Sequence, residues 1–305
     1  MSTASTTDTG TTIDDRIGLR GVWWPTDGMP AEAAAEFAAW LEGLGYGALW
    51  IPETLGRDPF AHAAYLLANT SELVVATGIA NIFNRHPGSM RQAQLTLAEQ
   101  SGGRFLMGVG VSHAPLVAGV RKLDYSKPLT SMRDHLQGMA ESMFLAPSPA
   151  VAPKTVVAAL GPKMLELAAS AADGAHPYWT TPEHTAQAKA VLGADKMLCV
   201  EQKVVLCTDA GEARATARAA LGVYIGLPNY YKNWFRLGFD ESDLADGGSD
   251  RLIDTLVPWG TADQIEARVA EHVDAGATHV CLQPLKPSAR MGDPDRDALE
   301  ALAPR

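Results

Sequence analysis

The stretch from Leu73 to Ser112 constrains the fold of this chain more than any other. It reads as a strand (LVVATGIANI), a turn (Asn84-Arg85-His86-Pro87), a helix from Gly88 to Gln100 and a second strand (RFLMGVGVS). A strand, a helix and a strand in this order form a parallel unit. The second strand stops on Gly108-Val109-Gly110-Val111-Ser112-His113. Glycines at a strand's carboxyl end let a flat ligand lie on bare backbone. In parallel α/β folds that end is where ligands bind.

The same alternation runs through the chain. Short apolar runs at Gly18–Trp23, Ala48–Ile51, Leu73–Ala80, Arg104–Val109, Lys154–Leu160, Gly174–Trp179, Met197–Cys207 and His279–Pro284 predict strands. Helical patterns lie near Pro30–Leu44, Pro59–Asn69, Pro87–Gln100, Leu129–Phe144, Pro162–Ala172, Pro182–Leu192, Gly211–Ile225 and Thr261–Ala275. Several open on a proline, whose missing N–H costs nothing in a first turn. Eight strand–helix pairs predict a closed parallel (β/α)8 barrel ringed by helices. An open doubly wound sheet is the weaker alternative, because no GxGxxG follows the first strand. Two connections are long: His113–Tyr125, and Leu227–Pro258 with its Tyr230, Tyr231, Trp234 and Phe235. Aromatic loops of this length on a barrel either close over substrate or pack on the outer helices.

With 305 residues, 47% of them hydrophobic, the chain is long enough for one such barrel, expected over 15–305. The Ser/Thr-rich residues 1–14 read as a disordered tail without a signal segment. A net charge of −10 argues against nucleic acid and anionic membranes as partners. No apolar run has membrane-spanning length. Three cysteines, Cys199, Cys207 and Cys281, lack CxxC spacing, which suits core positions in a reducing cytoplasm. His176, Trp179 and His184 cluster without metal-ligand spacing, so no metal site is expected.

Residues at the predicted strand ends are the candidates for function. Strand alternation sends one of Trp23 and Trp24 inward, as a wall for a ring-shaped ligand or as a barrel plug. Glu53 and Thr54 follow the second strand; Glu53 is either a group at the mouth or a solvated loop acid. His113 follows the glycine-rich end as a proton donor near neutral pH or as an ordinary loop histidine. Leu160-Gly161-Pro162 and Trp179-Thr180-Thr181-Pro182 lead into helices whose starts suit a phosphate, or simply carry caps. Trp179 and Tyr231 are further candidates for the substrate side.

The motifs Ala76-Thr77-Gly78-Ile79, Arg85-His86-Pro87, Gln94 with Thr96-Leu97, Ser101-Gly102-Gly103-Arg104, Gly108-Val109-Gly110, Ala159-Leu160-Gly161-Pro162, Ala172-Asp173-Gly174 and Trp259-Gly260-Thr261 occur in one order. As a set they resemble the luciferase-like monooxygenase superfamily, closest to its branch using coenzyme F420, a deazaflavin. The resemblance implies a hydride-transferring oxidoreductase acting on a small organic substrate, with FMN-dependent oxygenation or cofactor binding without catalysis as alternatives. It implies that Gly78-Ile79 forms a bulge, often with a cis peptide, behind the cofactor's middle ring. Asn81, Gly110 and Ser112 would lie near that ring, and Glu53 would contact it. Leu160, Gly161, Pro162, Thr180 and Thr181 would hold its phosphate. Thr54 stands where dehydrogenase members carry a catalytic histidine, which puts alcohol oxidation in doubt. Relatives are often homodimers, which the alanine-rich Pro59–Asn69 and Gln92–Leu97 faces would permit.

Overall fold

The computed structural model describes residues 12–286 and 293–304. Nine parallel strand segments, β1 (Arg20–Trp23), β2 (Ala48–Ile51), β3 (Val74–Thr77), β4 (Ala80–Asn81), β5 (Phe105–Gly110), β6 (Thr155–Val157), β7 (Gly174–Ala175), β8 (Met197–Val204) and β9 (His279–Pro284), run β3-β2-β1-β9-β8-β7-β6-β5-β4. Pairing of β3 with β5 closes the sheet. Segments β3 and β4 are two halves of one strand, so the expected eight-stranded barrel is formed.

A cis peptide at Gly78-Ile79 separates those halves. At the break the Thr77 hydroxyl donates to the Gly108 carbonyl at 2.7 Å and accepts from the Gly108 N–H at 2.9 Å. The side chain thus supplies the ladder bonds that the irregular backbone cannot.

Alternation along the strands divides the apolar residues between two layers. Trp23, Ala48, Trp50, Val74, Ala76, Leu106 and Cys199 fill the barrel interior. Val22, Leu49, Ile51, Val75 and Val109 face the helices. Eight helices form that outer ring: α2 (Ala31–Gly43), α3 (Pro59–Ala68), α4 (Pro87–Gln100), α5 (Pro128–Ala140), α6 (Pro162–Ala171), α7 (Pro182–Leu192), α8 (Ala210–Leu221) and α11 (Ala262–Asp274). Proline opens α3, α4, α5, α6 and α7 within the first turn, as the sequence suggested.

The tail expected over 1–14 is corrected at its end; residues 1–11 lie outside the described residues. Helix α1 (Ile13–Ile17) begins with a capping box between Thr12 and Asp15. Ile13 and Ile17, each 2% exposed, join the interior layer with Trp50 and Met197 and so plug the barrel floor. Ile13 and Ile17 stand four apart, the helical spacing, but a single such pair is too short a pattern to mark a helix.

Strands expected over Lys154–Leu160 and Gly174–Trp179 shorten to β6 and β7. Their distal residues leave the ladder to become loops at the mouth. Both long connections are helical. A π-helical turn covers Pro115–Val120, and Leu227–Pro258 contains α9 (Pro228–Arg236), a 3-10 segment over Glu241–Gly247 and α10 (Asp250–Leu256).

Candidate active site

A cavity of about 480 Å³ opens at the carboxyl ends of the strands. Its floor is Gly78, Ile79, Trp23 and His176; its walls carry Ser112, His113, Leu116 and Tyr125 on one side and Leu160, Gly161 and Met164 on another. Tyr178, Tyr224, Asn229 and Tyr230 complete it. Both insertions therefore reach the cavity, α9 through Asn229, Tyr230, Lys232 and Arg236.

Of the two tryptophans, Trp23 turns inward and its Nε1 donates to the Gly78 carbonyl at 3.1 Å. Trp24 packs with the outer layer. Gly78 has no room for a side chain: a Cβ would sit 2.5 Å from Trp23 Nε1 and 3.1 Å from His176 Nε2. Gly110 does not line the cavity but supports its floor, since a Cβ there would meet Ile79 Cδ1 at 2.5 Å.

Glu53 borders the cavity with both oxygens engaged. Arg85 donates to Oε2 and Oε1 at 2.8 Å each, the Asn81 N–H to Oε2 at 2.7 Å and Asn84 Nδ2 to Oε1 at 2.7 Å. The carboxylate ties β4 and the following turn to β2, and four donors occupy its two oxygens. Asn81 is fully buried beneath the bulge and its Oδ1 caps the turn at the Phe83 N–H. Thr54 lines the rim, and its carbonyl accepts from Arg121 at 2.7 Å.

His113 is half-buried, its ring centre 5.4 Å from that of Tyr230. Burial pulls the imidazole below its ordinary value, opposed by the Asn229 side chain. The ring is therefore uncharged near neutrality, with a nitrogen lone pair available there, whereas donating a proton outright requires the charged ring. Ser112, one residue earlier, holds φ at 55° and its carbonyl accepts from the Tyr125 hydroxyl at 2.8 Å. That left-handed turn sets the direction of the loop that carries His113.

The two expected phosphate positions differ. Thr181 caps α7, accepting from the His184 N–H at 3.3 Å, and both Thr180 and Thr181 are buried off the cavity wall. The start of α6 remains open: its cap is Gly161, which has no side chain to satisfy the first N–H groups. The space beside Gly161 faces Arg236 Nη2, 3.6 Å from where a Cβ would lie. Pro162 is exposed just outside the wall. Trp179 is buried with φ at 55°, its carbonyl held by Trp234 Nε1 at 3.0 Å, and Tyr231 lies tilted against Phe235 off the cavity wall.

Several residues escaped the sequence reading. Lys203 and Glu201 form an ion pair at 2.9 Å with side chains 2% and 1% exposed. Lys203 Nζ lies 3.6 Å from the Tyr178 ring centre and 4.0 Å from that of Trp179. Burial pulls the ammonium down to about 8, opposed by Glu201. The pair holds up the cavity's tyrosines from below, while the Tyr178 hydroxyl donates to Gln283 Oε1 at 3.0 Å. The alternation GluGlnLys within one strand was the available signal, since two charges on the inner face of a barrel strand must pair. Among the described residues, no group of three His, Cys, Asp or Glu is placed to hold a metal. No described helix is long and apolar enough to cross a membrane.

The cavity suits a planar heterocycle with an anionic tail. Exposed backbone at Gly78-Ile79 offers a flat face, His176 Nε2 is a buried acceptor without a partner, and the open α6 start with Arg236 offers positive potential.

Comparison with known proteins agrees with this geometry. Residues 10–279 match the family model described as luciferase-like monooxygenase. A Mycobacterium tuberculosis protein named as a candidate coenzyme F420-dependent oxidoreductase is 24% identical over 326 residues, covering 86% of this chain and 93% of that protein. The 5,10-methylenetetrahydromethanopterin reductase of Methanolobus tindarius is 24% identical over 305 residues, covering 84% and 90%. The solved coenzyme F420-dependent tetrahydromethanopterin reductase of Methanopyrus kandleri superposes with a TM-score of 0.75 at 16% identity, covering 94% of this chain and 97% of that one. The chain belongs to the luciferase-like monooxygenase family.

Proposed function

We propose that this protein is an F420-dependent oxidoreductase that moves a hydride between the deazaflavin and a small organic substrate. The carrying observation is one cavity with a bare backbone face at Gly78-Ile79 and an anion-accepting helix start at Gly161. The name of the Mycobacterium tuberculosis relative, similar over most of the chain, favours the deazaflavin over FMN. When bound, that cofactor supplies the carbon that takes or gives the hydride.

The chain's own residues then orient the reactants and handle the proton. Gly78, Ile79 and Trp23 bound the ring site, and Gly161 with Arg236 draws the phosphate to one end. Leu116, Tyr125 and Tyr230 cover the mouth and keep water from the reacting centre. His113 faces the same space and, uncharged near neutrality, accepts the proton that an oxidised substrate gives up. In the reverse direction the ring first takes up a proton from solvent and then gives it to the substrate. Glu53 acts at one remove, by bracing the bulge.

Titration of the purified protein with F420 and with FMN in one buffer, followed by tryptophan fluorescence, tests the cofactor. Tighter binding of F420 is expected, and tighter binding of FMN would refute the assignment. His113→Ala should lower turnover by roughly 10²–10⁴ with cofactor affinity nearly unchanged. Unchanged turnover would remove His113 from the chemistry.

A further inference from the structure

We infer that His176 is a ligand-binding residue whose Nε2 accepts a hydrogen bond from an N–H or O–H of the ring system seated on Gly78-Ile79. The inference rests on the proposed ring site and adds a polar contact that sets which ring edge enters the floor.

Three observations carry it. The tautomer is settled by geometry: His176 Nδ1 lies 2.7 Å from the Cys199 carbonyl, which can only accept, so Nδ1 carries the proton and Nε2 the lone pair. The ring cannot turn away, because it stacks on Trp50 with centres 4.3 Å apart and planes at 12°. Trp50 is itself anchored, its Nε1 donating to His279 Nε2 at 3.1 Å.

Second, Nε2 is buried on the cavity floor with no partner. Trp23 Nε1, which like His176 Nε2 lies close to Gly78, donates to the Gly78 carbonyl instead. A buried acceptor without a donor is destabilising, and a donor on the ligand would remove that cost. Third, burial pulls the imidazole to about 4, opposed by the Cys199 carbonyl, so the lone pair is free at neutral pH. The ligand class follows: a planar heterocycle with a donor on its inner edge. A deazaflavin offers an imide N–H and a phenolic O–H; a flavin offers the imide N–H alone.

The test uses the full chain carrying nitrogen-15 histidine. The His176 ring signals are identified by their loss in His176→Phe, which keeps the stack on Trp50 and removes Nε2. Addition of F420 should shift the unprotonated Nε2 resonance of wild type toward the hydrogen-bonded range. His176→Phe should bind F420 about 5–30-fold more weakly, about 1–2 kcal/mol. A response to FMN as well would assign the contact to the imide, and a response to F420 alone to the phenol. If wild type binds F420 while Nε2 stays unmoved and the variant binds equally well, the inference is overturned. If wild type binds neither cofactor, the proposed ring site falls and the inference with it. Should His176→Phe fail to fold, His176→Leu supplies the assignment by the same loss of signal, and the wild-type titration then decides.

Discussion

Replacing Arg85 by Met should show that Glu53 is a brace of the site and how strongly it is held. The two side chains are 15% and 6% exposed and share two bonds of 2.8 Å. Removing one partner of a buried pair costs about 3–5 kcal/mol, because the other charge is left uncompensated. Here Asn81 N–H and Asn84 Nδ2 still donate to Glu53, so the loss falls at the low end, about 3 kcal/mol. The contact of Arg85 with Asp58 adds little, since that carboxylate is 52% exposed. Glu53→Gln should cost about 2 kcal/mol, through the weaker amide bonds. The double variant should cost about 3 kcal/mol, so the two positions couple by roughly 2 kcal/mol. Urea unfolding of all four proteins measures this, provided the slope with denaturant is unchanged. Glu53 also holds the Asn81 N–H next to the bulge, so both single variants should weaken ligand binding. Strict additivity of the two losses, or an Arg85→Met cost within about 0.5 kcal/mol of zero, would refute the brace.

Two further outcomes follow from the electrostatics. Burial pulls His135, His176 and His279 to about 4 and His272 to about 3, so the folded protein keeps them neutral while the unfolded chain takes up protons below about 6.5. The unfolded state then binds more protons, so stability should fall with pH from about 6.5 toward 4, by roughly 1.4 kcal/mol per pH unit per histidine, measured as urea midpoints. His272→Gln should flatten that slope, and an unchanged slope would count against the assignment. Arg236→Ala should weaken a phosphate-tailed cofactor by about 3–10-fold, with the difference shrinking at high salt as expected for a rim charge. A salt-independent loss would point to displacement of α9 instead.

The helices Pro87–Gln100 and Pro182–Leu192 and the strands Ala48–Ile51 and His279–Pro284 have the bounds expected from sequence. Their signals are local: proline in the first turn, a capping side chain before it, and four or more consecutive apolar strand residues. The family motifs were legible for a related reason, since a glycine where two backbones meet leaves a mark in the chain itself. Gly78 and Gly110 were both picked out this way; Gly78 lines the cavity, and Gly110 packs against Ile79 behind it.

What the sequence by itself determined is therefore the alternation, the barrel and the end of it that carries the site. Tertiary structure alone decided how that site is furnished. Trp23 rather than Trp24 faces inward because β1 pairs Trp23 with Trp50, whose side chain also fills the interior. Glu53 meets Arg85 across 32 positions, and the buried Lys203 lies beneath tyrosines from two other loops. His176 is one of 8 histidines in the chain, and only its bond to Cys199 and its stack on Trp50 aim a free lone pair into the cavity. Such features arise from distances between segments far apart in sequence. Hydrophobic period and capping preference constrain each segment against its own neighbours, and carry no information about which side chain faces it across the barrel.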